Sequence, residues 1–149
     1  MSKLHLKIVC TVLLFLIYPF LSSAETTIYY GTTAKRAGVF FHSKSTVALT
    51  DNGWLQMSIY DLPLFKDGQR TTMIATISGK MGDVITSGNV DGDDFIAFHF
   101  RVDDQTHTDG VMIITLNQNG MIVKFEYCII NQNNELESIL LMMVDRRIE

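Results

Sequence analysis

The chain has 149 residues, 47% of them hydrophobic and 19% charged, with a formal net charge of −4. That acidity argues against nucleic acid and anionic lipid as general partners, since both are held by basic patches. The length suits one domain with a real core.

The amino end carries the three parts of an export signal. Lys3 and Lys7 precede an almost unbroken apolar run from Ile8 to Leu21, and Leu21-Ser22-Ser23-Ala24 follows with small residues at Ser22 and Ala24. The run is shorter than the ~20 residues that a membrane-spanning helix needs. The expectation is cleavage after Ala24 and a periplasmic or secreted mature chain without a stable membrane anchor. Cys10 lies inside the apolar run, which is not the arrangement of a lipid-modified cysteine. The mature segment 25–149 keeps ten basic residues (twelve less Lys3 and Lys7) against sixteen acidic ones, a formal charge of −6. Cys128 then has no internal disulfide partner, although the destination permits oxidation. It reads as a quiet, partly buried thiol on the more polar side of its strand.

Thr26 to Tyr30 reads as a first strand stopped by Gly31, followed by a polar stretch to Ala37. Val39 to Phe41 and Thr46 to Thr50 read as the second and third strands. Asp51-Asn52-Gly53 is a hairpin signal, because asparagine and glycine tolerate positive φ. In the next strand Leu55, Met57 and Ile59 share one face, and Trp54, Gln56, Ser58 and Tyr60 the other. Asp61-Leu62-Pro63-Leu64-Phe65 is expected to break it, since proline lacks a backbone donor. Lys66-Asp67-Gly68-Gln69 is a turn, and Thr71 to Ser78 a strand rich in β-favouring residues. Gly79-Lys80-Met81-Gly82-Asp83 is expected to punctuate, with a short strand from Val84 to Thr86.

The clearest structural message lies between residues 94 and 130. Ile96, Phe98, Phe100 and Val102 fall on one face of a strand, with Phe95, Ala97, His99, Arg101 and Asp103 on the other. Val111 to Leu116 follows, then the Asn119-Gly120 turn, then Met121 to Ile130 with Val123, Phe125, Tyr127 and Ile129 on one face. Leu136 to Val144 reads as a terminal strand, because it follows after only a short polar turn. Asp145 to Glu149 is expected to be a solvated tail. Apolar runs of period two separated by turn residues define an all-β fold. About eight to ten strands are predicted, arranged as an antiparallel β-sandwich or a strongly curved barrel-like sheet.

The polar cluster from residue 91 to 109 holds Asp91, Asp93, Asp94, His99, Arg101, Asp103, Asp104, His107 and Asp109. Counted from Asn89, a calcium loop of the helix-loop-helix type would need glycine at position six and glutamate at position twelve. Gly92 falls at four and Phe100 at twelve, so an acidic β-turn is the expectation. His99, His107 and Asp109 are metal-ligating types at a spacing with no template, so neither a metal nor another cofactor is assigned. No serine elbow, phosphate-binding glycine loop or paired-histidine helix motif is present, and no catalytic residue is assigned.

A binding role uses these residues more economically. Acidic loops steer a positively charged partner, Arg101 forms a directional ion pair, and Trp54, Tyr60, Leu62 and Phe65 supply apolar anchors. This requires the aromatic and acidic patches to be close enough for one interface. The expectation is a protein-binding module, and export, compact size, acidity and an all-β core without a catalytic set, rather than any residue motif, suggest an inhibitor or immunity protein that blocks a basic toxin or cell-wall hydrolase. Its alternatives are a carrier for a small apolar ligand and an unfamiliar hydrolase. An uncovered edge strand also leaves room for a homodimer.

Overall fold

The computed structural model describes residues 25–36, 39–103 and 108–148. The expected export segment, with its cut after Ala24, lies outside the described residues, as do Asp104 and His107. Among the described residues there are nine strands: β1 (Thr26–Arg36), β2 (Val39–Phe41), β3 (Ser45–Thr50), β4 (Trp54–Lys66), β5 (Gln69–Val90), β6 (Asp93–Val102), β7 (Gly110–Leu116), β8 (Ile122–Ile130) and β9 (Leu136–Ile148). Every pairing between them is antiparallel.

The strand order is β2-β1-β3-β4-β5-β6-β7-β8-β9, with β1 also pairing with β9. Ile28, Tyr29 and Tyr30 take Ala48, Val47 and Thr46 of β3 as partners on one edge and Ile148, Arg147 and Arg146 of β9 on the other. The result is one strongly curved, barrel-like sheet flattened into a sandwich-like arrangement. Its bend runs through β5. The first half of that strand, Gln69 to Lys80, pairs with β4, and the second half, Gly79 to Val90, pairs with β6.

Alternation places one set of side chains inside. Val47, Met57, Ile59 and Ile77 from the first layer meet Phe100, Met112, Phe125, Tyr127 and Met142 from the second in one buried cluster. Tyr29 and Phe125 pack edge to face with ring centroids 5.0 Å apart, as do Phe100 and Tyr127 at 6.0 Å. Such contacts add to the area term for large buried rings. The Tyr127 hydroxyl donates to the Thr108 carbonyl, so its polar end is satisfied.

Several expected breaks are bulges instead. β4 runs through Pro63, which sits opposite Thr72. A shift in register between Ile59 and Leu62, with Asp61 at φ 56°, absorbs the irregularity. β5 likewise runs through Gly79 to Asp83, with register shifts between Met81 and Thr86. Bulges bend a strand without ending it. Gly31 does not stop β1 either: a Cβ there would collide with the Met143 carbonyl and the Met142 side chain, so glycine lets β9 approach. The expected tail is strand as well, because Arg146, Arg147 and Ile148 pair with β1.

Candidate functional site

The outer face of the sheet carries the site. Cross-strand pairing aligns Ala97 with Ile113, Ile113 with Glu126, and Glu126 with Leu141 in one outward row. The next row runs His99, Val111, Cys128 and Ser138. Beyond it, Ile130 stands opposite Leu136. The β6 and β7 members of these rows, with Ile130 and Leu136, line a groove of about 990 Å³. Ile85, Ala97, Val111, Ile113, Ile130 and Leu136 give it an apolar lining. Lys80, Asp83, His99, Arg101 and Asp109 supply the polar part. Leu136, Ile130 and Ile85 are 54%, 64% and 45% exposed, so this apolar surface is open to solvent.

The groove's outward rows are not uniformly wet. Ala97, Cys128 and Leu141 are buried although they sit on the outer face. Burial pushes the Cys128 thiol up to about 12, and the Glu126 carboxylate adds to this against the opposing charges of Lys124 and Lys35. Cys128 is therefore a neutral thiol and a poor nucleophile at neutral pH. Lys124 and Glu126 form an ion pair at 3.3 Å beside it.

The residues singled out from the sequence differ in their surroundings. His99, Arg101 and Asp109 line the groove together. Trp54 joins them along a single outward row, since it lies opposite Lys80 and Lys80 lies opposite Arg101. It is 42% exposed, and its backbone N–H is held by Thr50 Oγ1 at 2.9 Å. Asp103 flanks the same row. It accepts a 2.6 Å hydrogen bond from Ser78 Oγ and lines a smaller depression of about 230 Å³ with Trp54. One aromatic residue and one carboxylate of those singled out, Trp54 and Asp103, are thus neighbours.

Asp91, Asp93 and Asp94 stand at the far end of β6. From Asp94 to Arg101 is seven positions, about 23 Å at the rise of an extended strand. They build a two-residue hairpin turn in which Asp91 and Gly92 have φ of 54° and 93°. Asn89 holds this turn by donating to Asp94 Oδ1 at 2.9 Å and accepting from the Gly92 N–H at 3.2 Å. The acidic β-turn is as the sequence predicted.

The remaining anchors have other surroundings. Leu62 is 1% exposed and belongs to the core, so it offers a partner no surface. Tyr60 is half-buried, its hydroxyl 3.3 Å from Thr46 Oγ1. Phe65 lies in β4 opposite Arg70. Asp109 spends one carboxylate oxygen on the Val102 N–H at 2.9 Å. Among the described residues no three His, Cys, Asp or Glu side chains lie together as metal ligands would.

Val111, Ile113, Ile130, Leu136, Ile85 and Lys80 were not singled out from the sequence. The one signal for them is that Val111 to Ile114 and Ile129-Ile130 are apolar at consecutive positions. Alternation then puts an apolar side chain on both faces. No protein-family model, curated protein or solved structure matches the chain.

Proposed function

We propose that this chain is an exported protein-binding module that blocks a basic toxin or cell-wall hydrolase by docking it on the outer face of β6–β9. The observation that carries this reading is the open apolar groove bordered by His99, Arg101 and Asp109. Exposed apolar surface on a sheet, rimmed by polar groups, is the composition of a protein interface. Ile113, Val111, Ile130 and Leu136 exclude water beneath a partner loop, and Arg101 fixes its orientation through a directional ion pair. The acidic balance of the domain speeds encounter with a basic partner. Inhibition is then steric: the rigid sheet covers the partner's cleft.

A carrier of small apolar ligands has less support, because Phe100, Phe125, Tyr127, Met57 and Met142 fill the interior at 0–1% exposure. A hydrolase is the second reading, since His99 and Asp109 share the groove. The buried, protonated Cys128 does not supply its nucleophile.

The test is capture of partners from the envelope and secreted fractions with residues 25–149 as bait. The capture is repeated with Ile130→Asp and Leu136→Asp together. Recovery of a basic enzyme that loses activity on titration with the wild-type protein, and not with the double variant, supports the reading. A reproducible small ligand with no macromolecular partner rejects it.

A further inference from the structure

We infer that the second half of β5 is a strand-addition site, to which a partner contributes an extended segment with basic residues at its ends. The inference rests on the protein-binding reading and names the contact that this face makes.

The pairing of β4 with β5 stops at Trp54 and Lys80, and the Gly53 carbonyl takes the Met81 N–H as the last hydrogen bond on that side. From Gly82 to Val90, β5 is paired along one edge only among the described residues, and its partner there is β6. All nine of these positions are exposed. The hairpin turn fixes which backbone groups lie bare. Val90 and Asp93 flank a two-residue turn and exchange hydrogen bonds. Alternation along an antiparallel ladder then directs Gly88 and Thr86 toward β6 and turns Asn89 and Ser87 toward the open side.

Open edges in folded proteins are ordinarily blunted by lysine, proline, a bulge or a covering segment. Here the bulges end at Thr86, and Thr86 to Val90 pairs in unbroken register with Ala97 to Asp93. No lysine or proline lies between Gly82 and Val90. Val84, Ile85 and Val90 are instead 56%, 45% and 60% exposed. A strand added here forms main-chain hydrogen bonds with Ser87 and Asn89 and covers those three side chains. It also extends the wall of the groove, because Gly82, Asp83, Ile85 and Thr86 line it.

Charge sets the partner's sign. From Gly82 to Ile96 there are four acids, Asp83, Asp91, Asp93 and Asp94, and no basic residue. A second copy of this acidic chain brings the same sign to this edge, whereas a basic segment is attracted to it.

The probe is a fluorescein-labelled heptapeptide of alternating valine and threonine with a lysine at each end, followed by anisotropy against residues 25–149. Saturable binding is expected, weakened about fivefold or more when glutamates replace the lysines. Ser87→Pro is expected to weaken it as much. Proline is tolerated where an edge N–H faces solvent, so the β5–β6 ladder survives while the added strand is blocked. Val90→Lys, which places a charge on the edge without touching the backbone, gives the same loss. Equal binding by both variants, or no preference for lysine over glutamate, overturns the inference. So does a dimer in gel filtration that Ser87→Pro dissociates, since the occupant is then a second copy. Ile130→Ser with Leu136→Ser, which adds no charge to the groove, should leave peptide binding intact, so failure at the edge and failure of the groove reading are read separately.

Discussion

Ile130 stands directly opposite Leu136 across the β8–β9 hairpin, and both side chains are more than half exposed. Their turn is held by Asn131, whose side-chain oxygen accepts the Asn133 and Glu135 N–H groups at 2.9 and 3.0 Å. An apolar pair on so well-fixed a hairpin is presented rigidly. Replacing both by aspartate should change unfolding free energy by less than about 1 kcal/mol, because exposed positions contribute little. Affinity for the captured partner should fall tenfold or more, since each apolar side chain buried under a partner contributes about 1.5–3 kcal/mol. Urea unfolding and titration calorimetry separate the two effects.

Association rate should respond to the acids. Asp93→Lys with Asp103→Lys is expected to slow partner capture at low salt, with the difference shrinking as salt rises. The two sites act differently. Asp93 opens β6 beside the Asp91-Gly92 turn, two positions before the groove-lining Phe95, while Asp103 also loses its bond from Ser78. Surface plasmon resonance of the single variants should show Asp93→Lys acting on association and Asp103→Lys also on dissociation. Unchanged rates at low salt count against an acidic steering surface.

Gly31→Ala should be among the costliest small substitutions. Its new methyl would meet the Met143 carbonyl, a backbone atom that cannot swing aside. Forcing β1 away from β9 is expected to cost about 3 kcal/mol or more. The C-terminal residues, from Met142 to Ile148, should lose protection in hydrogen exchange before the rest.

Stability should fall in strong alkali through Cys128. Its folded thiol is raised from 9.0 to about 12. Between those values the unfolded chain loses the proton and the folded chain keeps it, which favours unfolding as pH rises. The stabilising effect of the buried neutral thiol is complete below pH 9 and is lost on passing through 12. Cys128→Ala should flatten this part of the pH profile in chemical denaturation. Native protein should also react slowly with a thiol reagent at pH 8, and rapidly in denaturant.

Much of the fold is written in local pattern. Phe98, Phe100 and Val102 alternate with Ala97, His99 and Arg101, and the structure turns the first set inward. Asp67-Gly68 and Asp91-Gly92 adopt positive φ at both positions, as their hairpins require. What escapes local reading depends on distant partners. Pro63 and Gly79 look like interruptions until the strand beside each is known. Gly79 faces the Arg101 carbonyl too closely for a side chain. The site is legible only in part for the same reason. His99, Arg101 and Asp109 stand out by charge. Val111 and Ile113 look like ordinary core, because nothing in the run from Val111 to Leu116 reports that its second face lacks a cover.

The contact between the first strand and the last has a temporal consequence. Residues 28–36 take residues 140–148 as partners, so more than a hundred positions of chain separate the two sides of that ladder. A ribosome delivers them in order. Until the final residues emerge, β1 has a partner on β3's side alone, and chains cut short near residue 140 are left in that state permanently. Such fragments should be the species that proteases and chaperones find first.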